Sequence, residues 1–134
     1  MRMDKIIKIA MGLFVVVVLV CAVFFVITRQ AADTPAPGRV TVYFFYGEEC
    51  QYCHNVMPVV ESLRQKYPDV DFQIRETYHN QTNQALSVSL NQKLGIPNPG
   101  VPEVIVGKLV LVGDRDIPAK LESVILAELT KSGN

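Results

Sequence analysis

The sequence predicts a three-layer α/β domain built on a mixed sheet, carried behind one apolar helix. Three observations predict it. A long uncharged stretch lies near the N-terminus, β-branched runs then alternate with amphipathic segments, and two cysteines sit where the first run gives way to the first amphipathic segment. At 134 residues the chain holds one small domain and one further segment. Its formal net charge is zero and only 19% of residues are charged, so no basic face marks a nucleic-acid binder. No phosphate-cradling glycine loop and no hydrolytic triad is visible.

From Ile9 to Ile27 there are 19 consecutive uncharged residues. At about 1.5 Å per residue that approaches the hydrocarbon thickness of a bilayer. A secretory signal core is usually shorter, roughly 7–15 residues, and Ala31-Ala32 makes an imperfect cleavage site. The expected organisation is a cytoplasmic N-terminus over 1–8, an anchor over 9–28, a Pro-containing tether over 29–39 and a folded domain over 40–134. Arg2, Lys5 and Lys8 precede the span, whereas Arg29 and Arg39 follow it. The excess of positive charge places the N-terminus in the cytoplasm and the domain outside it. Cys21, mid-span, reads as an inert packing residue.

Val40 to Tyr46 is a β-branched and aromatic run, as expected of a strand covered on both faces. Gly47-Glu48-Glu49 breaks it. A helix follows, with Val56, Val59, Val60, Leu63 and Tyr67 on one stripe, and Pro68-Asp69 stops it. Pro58 lies inside that helix and should kink it. Val70, Phe72 and Ile74 alternate with polar residues as a second strand. Asn80 to Leu94 reads as a helix through Leu86, Leu90 and Leu94, ended by Gly95. The Pro-rich stretch 96–102 excludes regular structure. Glu103–Val106 and Leu109–Val112 are short strands joined by Gly107-Lys108, a hairpin turn. A last helix from about Asp116 turns Ile117, Leu121, Val124, Ile125 and Leu129 inward. The first two strands should be parallel, and the hairpin should add antiparallel edge strands.

The chemistry centres on Cys50-Gln51-Tyr52-Cys53-His54. Two thiols at this spacing can close a small disulfide ring. The first sits where free helix N–H groups and the positive helix end stabilise a thiolate. His54, if protonated, would add to that effect. Gln51 and Tyr52 would tune the balance between reduced and oxidised forms. Tyr46 and Tyr52 could rim the site, and His79 reads as a surface loop residue. Asn80-Gln81-Thr82 is a glycosylation sequon.

Four features together resemble the thioredoxin superfamily in its minimal, glutaredoxin-sized form. A strand runs into Cys50-Gln51-Tyr52-Cys53, and Pro58 stands eight residues after the first cysteine. Gly100-Val101-Pro102 opens a hairpin strand, and an amphipathic helix closes the domain. Tyr78-His79-Asn80 leading into a helix is similar to bacterial and archaeal membrane-linked members. The resemblance implies that Cys50 is the exposed nucleophile and Cys53 the buried resolving cysteine. It also implies a cis bond at Val101–Pro102, a loop packed on the cysteine pair, and a Val101 backbone that pairs with the substrate chain. One position departs: thioredoxins carry a buried aspartate six residues before the first cysteine, and Phe44 stands there. Glu48, Glu49 or a water would have to rebuild that proton relay.

The expected activity is thiol–disulfide exchange with cysteine-containing protein substrates, reset by a membrane or soluble redox partner. It needs no organic cofactor and no metal, because the Cys50–Cys53 disulfide carries the electrons. Three alternatives use the same residues differently. Cys50-Gln51-Tyr52-Cys53-His54 also matches the c-type haem attachment pattern. The two thiolates suit Cu(I) delivery, with His54 and His79 to join them. A non-catalytic adaptor would use the thioredoxin-like groove for binding alone.

Overall fold

The computed structural model describes residues 2–30 and 38–133, without the side chains of 2 and 24–30. The expected tether and its Ala31-Ala32 pair therefore fall largely outside the described residues. The chain divides into two compact units, Met1–Pro35 and Ala36–Asn134.

The first unit is one helix, α1 (Arg2–Gln30). Its stretch Met3–Val23 is 21 residues long, has mean hydropathy 2.9 and contains no buried residue. It is long and apolar enough to cross a membrane.

The second unit begins with β1 (Thr41–Tyr46), followed by α2 (Gln51–Lys66), β2 (Asp71–Glu76) and α3 (Gln81–Lys93). The hairpin β3 (Glu103–Val106) and β4 (Leu109–Val112) and the last helix α4 (Gly113–Ser132) complete it. The sheet order is β2-β1-β3-β4. β1 runs parallel to β2 and antiparallel to β3, with Phe45 beside Arg75 on one side and Glu103 on the other. This is the predicted mixed sheet, with the apolar β1 at its interior. Gly107 turns the hairpin at φ +58°, a conformation glycine adopts without a Cβ clash.

Strand alternation sorts the sheet into two faces. Val42, Phe44, Val104 and Val106 pack with Val56, Val60 and Leu63 of α2 and with Ile117, Leu121 and Ile125 of α4. Glu122 of α4 accepts bonds from Lys66 Nζ (2.6 Å) and Tyr67 Oη (2.7 Å), pinning the end of α2 to α4. The other face carries Tyr43 stacked on Phe45, with ring centroids 6.0 Å apart, and there Glu103 meets α3.

The structure adds one detail to α3 and moves one helix start. The buried α3 residues are Ser87 and Asn91, while Leu86, Leu90 and Leu94 are only half-buried. The reason lies across the interface. Glu103 points a carboxyl at α3, so the helix turns its donors inward: Asn91 Nδ2 and Ser87 Oγ both bond Glu103 Oε2, at 2.7 and 3.4 Å. The last helix begins at Gly113, three residues before the expected start, because Asp114 and Asp116 already occupy its first turn and suit a helix N-terminus.

Candidate active site

The sheet register brings three loops to one end. The C-terminal ends of β1 and β2 lie beside the N-terminal end of the antiparallel β3. Open α/β sheets bind ligands at such an end. Thr77 donates to the Tyr46 carbonyl through both its N–H (2.8 Å) and its hydroxyl (3.0 Å), carrying the β1–β2 ladder past the strands. Gly47 is buried here, and any Cβ on it would strike the Tyr78 ring.

Cys50 is the N-cap of α2. Its N–H donates to the Gly47 carbonyl at 3.1 Å, and its own carbonyl accepts from Cys53 and His54 at 3.0 and 3.2 Å. Its Sγ accepts the Cys53 N–H at 3.2 Å, satisfying one of the orphan donors of the first turn. Cys50 and Cys53 form a disulfide, with Cα atoms 5.2 Å apart. The first turn of α2 contains no acidic residue, so nothing on the helix itself opposes a negative sulfur.

Exposure differs from expectation. Cys50 is only 8% exposed and Cys53 1%. The capping geometry explains this, because the Cys50 side chain folds back over the helix end instead of projecting outward. Cys50 is still the more accessible of the two sulfur-bearing residues.

The remaining expected residues fall into three groups. Val101 and Pro102 lie on the facing loop, joined by a cis peptide bond, with the Pro102 carbonyl accepting from Gly113 N–H at 2.9 Å. Val101 also lines a cavity of about 260 Å³ with Thr77, Tyr78, Ser87, Val88 and Pro99. Gln51 is exposed, and Tyr52, 63% exposed, presents an aromatic ring to solvent beside the disulfide. His54 turns away from the sulfurs. Its Nε2 donates to the Glu48 carbonyl at 2.8 Å, so the ring ties down the loop before Cys50. Among the described residues, no three His, Cys, Asp or Glu side chains converge as a metal site.

Neither glutamate rebuilds the buried carboxylate of the relay position, where Phe44 is fully buried. Glu48 and Glu49 are both exposed. The fully buried carboxyl, Glu103, belongs to the α3 face of the sheet, opposite Phe44.

Sequence reading missed a polar strap between the β2–α3 loop and the residues before Cys50. His79 Nε2 meets Glu49 Oε1 at 2.6 Å. Glu76 accepts the N–H groups of Tyr78 (2.7 Å), His79 (2.9 Å) and Glu48 (3.4 Å). The bond to His79 lowers the Glu49 pKa, and the same bond raises that of His79. Burial pushes the Glu76 carboxyl up, but its three backbone donors outweigh that and hold it below its usual range. Glu49 and His79 stand 30 residues apart, and nothing in the sequence pairs them.

No protein-family model and no curated protein matches this sequence. Solved structures do. The thioredoxin of Trypanosoma brucei brucei superposes with a TM-score of 0.55 at 18% identity, over 77% of this chain and 85% of that one. The Fasciola hepatica thioredoxin gives 0.52 at 23% identity, covering 67% and 81%. Thioredoxin O2 of Arabidopsis thaliana, in its oxidized state, gives 0.52 at 24%, covering 67% and 75%. The domain has the thioredoxin fold. At these identities the likeness establishes architecture, and the thioredoxin-like domain's chemistry rests on its own cysteines.

Proposed function

We propose that the chain is a membrane-tethered thiol–disulfide oxidoreductase acting on cysteine-containing proteins outside the cytoplasm. One observation carries this reading: a Cys50–Cys53 disulfide at a helix N-terminus, within a thioredoxin fold. Loss or gain of two electrons is the chemistry those two sulfurs support.

In the oxidising direction a client thiolate attacks Cys50 Sγ, and Cys53 leaves as a thiolate. The client's second thiolate then attacks the client sulfur of the mixed disulfide. Its own disulfide forms, and Cys50 is released as a thiolate stabilised by the Cys53 N–H and the helix end. In the reducing direction the same steps run backward, with Cys53 resolving the mixed disulfide. A dithiol or disulfide partner, in the membrane or soluble, resets the pair. The exposed Tyr52 and Tyr78 rings and the cavity beside Val101 supply contact area for the client chain around its cysteine. α1 supplies the tether, and the basic residues in its first turns, Arg2, Lys5 and Lys8, favour a cytoplasmic N-terminus.

Cys53→Ala leaves the attacking sulfur without its resolver. In native membranes this variant should accumulate mixed disulfides on Cys50, identifiable by mass spectrometry after non-reducing separation. A Cys50→Ser, Cys53→Ala chain should accumulate none. Capture of nothing by the trap, or full function in a chain lacking both thiols, would overturn the reading in favour of an adaptor.

A further inference from the structure

The strap described above places a histidine of the β2–α3 loop on the carboxylate immediately preceding Cys50. Consecutive Cα atoms are about 3.8 Å apart, and Glu49 is the acidic residue next to Cys50 in the chain. Glu48 and Glu76 stand in the same cluster, linked through the Glu48 N–H. Of the other polar neighbours, His54 on α2 spends Nε2 on the Glu48 carbonyl. Arg75 precedes Glu76 in an extended strand and so faces the opposite side of the sheet. The first turns of α2 and α3 contribute no carboxylate.

We infer that His79 is a positioning residue for the reactive thiol: clamped on Glu49, its imidazolium cancels the carboxylate charge beside Cys50 and keeps that thiol acidic and reactive. The loops hold it to this task. Glu76 fixes the His79 backbone through its N–H (2.9 Å), and the Tyr78 ring covers Gly47, so the imidazole is presented to Glu49 from a braced loop. Contact with Glu49 raises the His79 pKa above its usual value, which favours the cation. As pH climbs through that raised value, the pair passes from neutral to a net negative charge. The Cys50 thiolate then becomes harder to form.

The inference rests on the thiol-exchange reading for its purpose, but it is measured on the thiol itself. The test uses the full chain in detergent micelles with Cys21→Ser and Cys53→Ala, so that Cys50 alone reacts. Iodoacetamide reports thiolate directly: the sulfur attacks the methylene carbon and iodide leaves. His79→Gln should slow alkylation near neutral pH about threefold and displace the rate profile to higher pH. His79→Lys, which keeps a cation, should leave the profile in place. Glu49→Gln with His79→Gln, which removes both charges, should restore the parent rate. A purely structural role predicts that the double variant is at least as slow as His79→Gln. That result, or an unchanged profile in His79→Gln, would overturn the inference. Failure of the chain with both site cysteines to exchange with dithiothreitol would instead overturn the oxidoreductase reading, leaving the alkylation profiles standing.

Discussion

Glu103 is a carboxyl with no solvent-exposed surface, one residue after the cis proline and outside the proposed chemistry. Burial raises its pKa, against the opposing effect of the hydrogen bonds from Asn91 and Ser87. Its Oε1 and the Asn91 Oδ1 are both buried without a partner, while Asn91 Nδ2 donates to Oε2 at 2.7 Å. Two orphaned acceptors beside one acid–amide contact are the arrangement that a proton on Oε1 relieves. The pH dependence follows from the sign of the shift. A carboxyl raised from its usual 4.5 contributes stability that is fully present below that value and is lost as pH rises through the folded-state value. Urea denaturation of the full chain should therefore show stability falling above about pH 4.5. Glu103→Gln keeps a donor and an acceptor for Asn91 and should remove that decline. Glu103→Ala removes the carboxyl acceptor of the Asn91 amide, which keeps only its bond to the Ser87 carbonyl, a loss of about 1–3 kcal/mol.

At the scale of elements, α3 separates what periodicity reveals from what it conceals. Its limits were readable because Asn80 caps the start, Oδ1 accepting the Asn83 N–H at 3.1 Å, and Gly95 follows the end at φ +74°. Its buried face was not. Leucines spaced by four suggest an apolar stripe, yet docking is decided by a carboxyl on another strand, and no pattern internal to α3 encodes that partner. The available signal was Glu103 itself, a charged residue opening an otherwise apolar strand. The hairpin limits were legible in full because β-branched runs and Gly107 leave few choices, and the cysteine motif was legible because its chemistry is local. The Glu49–His79 contact, which spans two loops, was not. Asn80→Ala tests the local half of this account. It should cost about 1 kcal/mol and speed amide exchange over residues 81–83, leaving β1 and β3 protected. Asn80→Asp should restore both.

For the whole molecule, compartment and chemistry constrain one another. Oxidising surroundings hold a pair of cysteines closed, and cytosolic reductants keep such pairs open. The same chain carries Arg2, Lys5 and Lys8 ahead of the uncharged stretch Ile9–Ile27, the pattern that favours a cytoplasmic N-terminus. The charge bias belongs to the span and the cysteine pair to the domain, so the proposed orientation can be varied without altering the site. Reversing the charge bias should therefore change the redox state without touching the site. Replacing the three basic residues by glutamine and placing lysines at Ala31 and Ala32 should invert a fraction of the molecules. In intact cells that fraction should resist external protease, and rapid alkylation should find its Cys50 and Cys53 reduced. The fraction in the proposed orientation should be digested and carry the disulfide. Protease-resistant domains that nonetheless hold the Cys50–Cys53 bond would break the link between orientation and chemistry, and with it the case for an extracytoplasmic client.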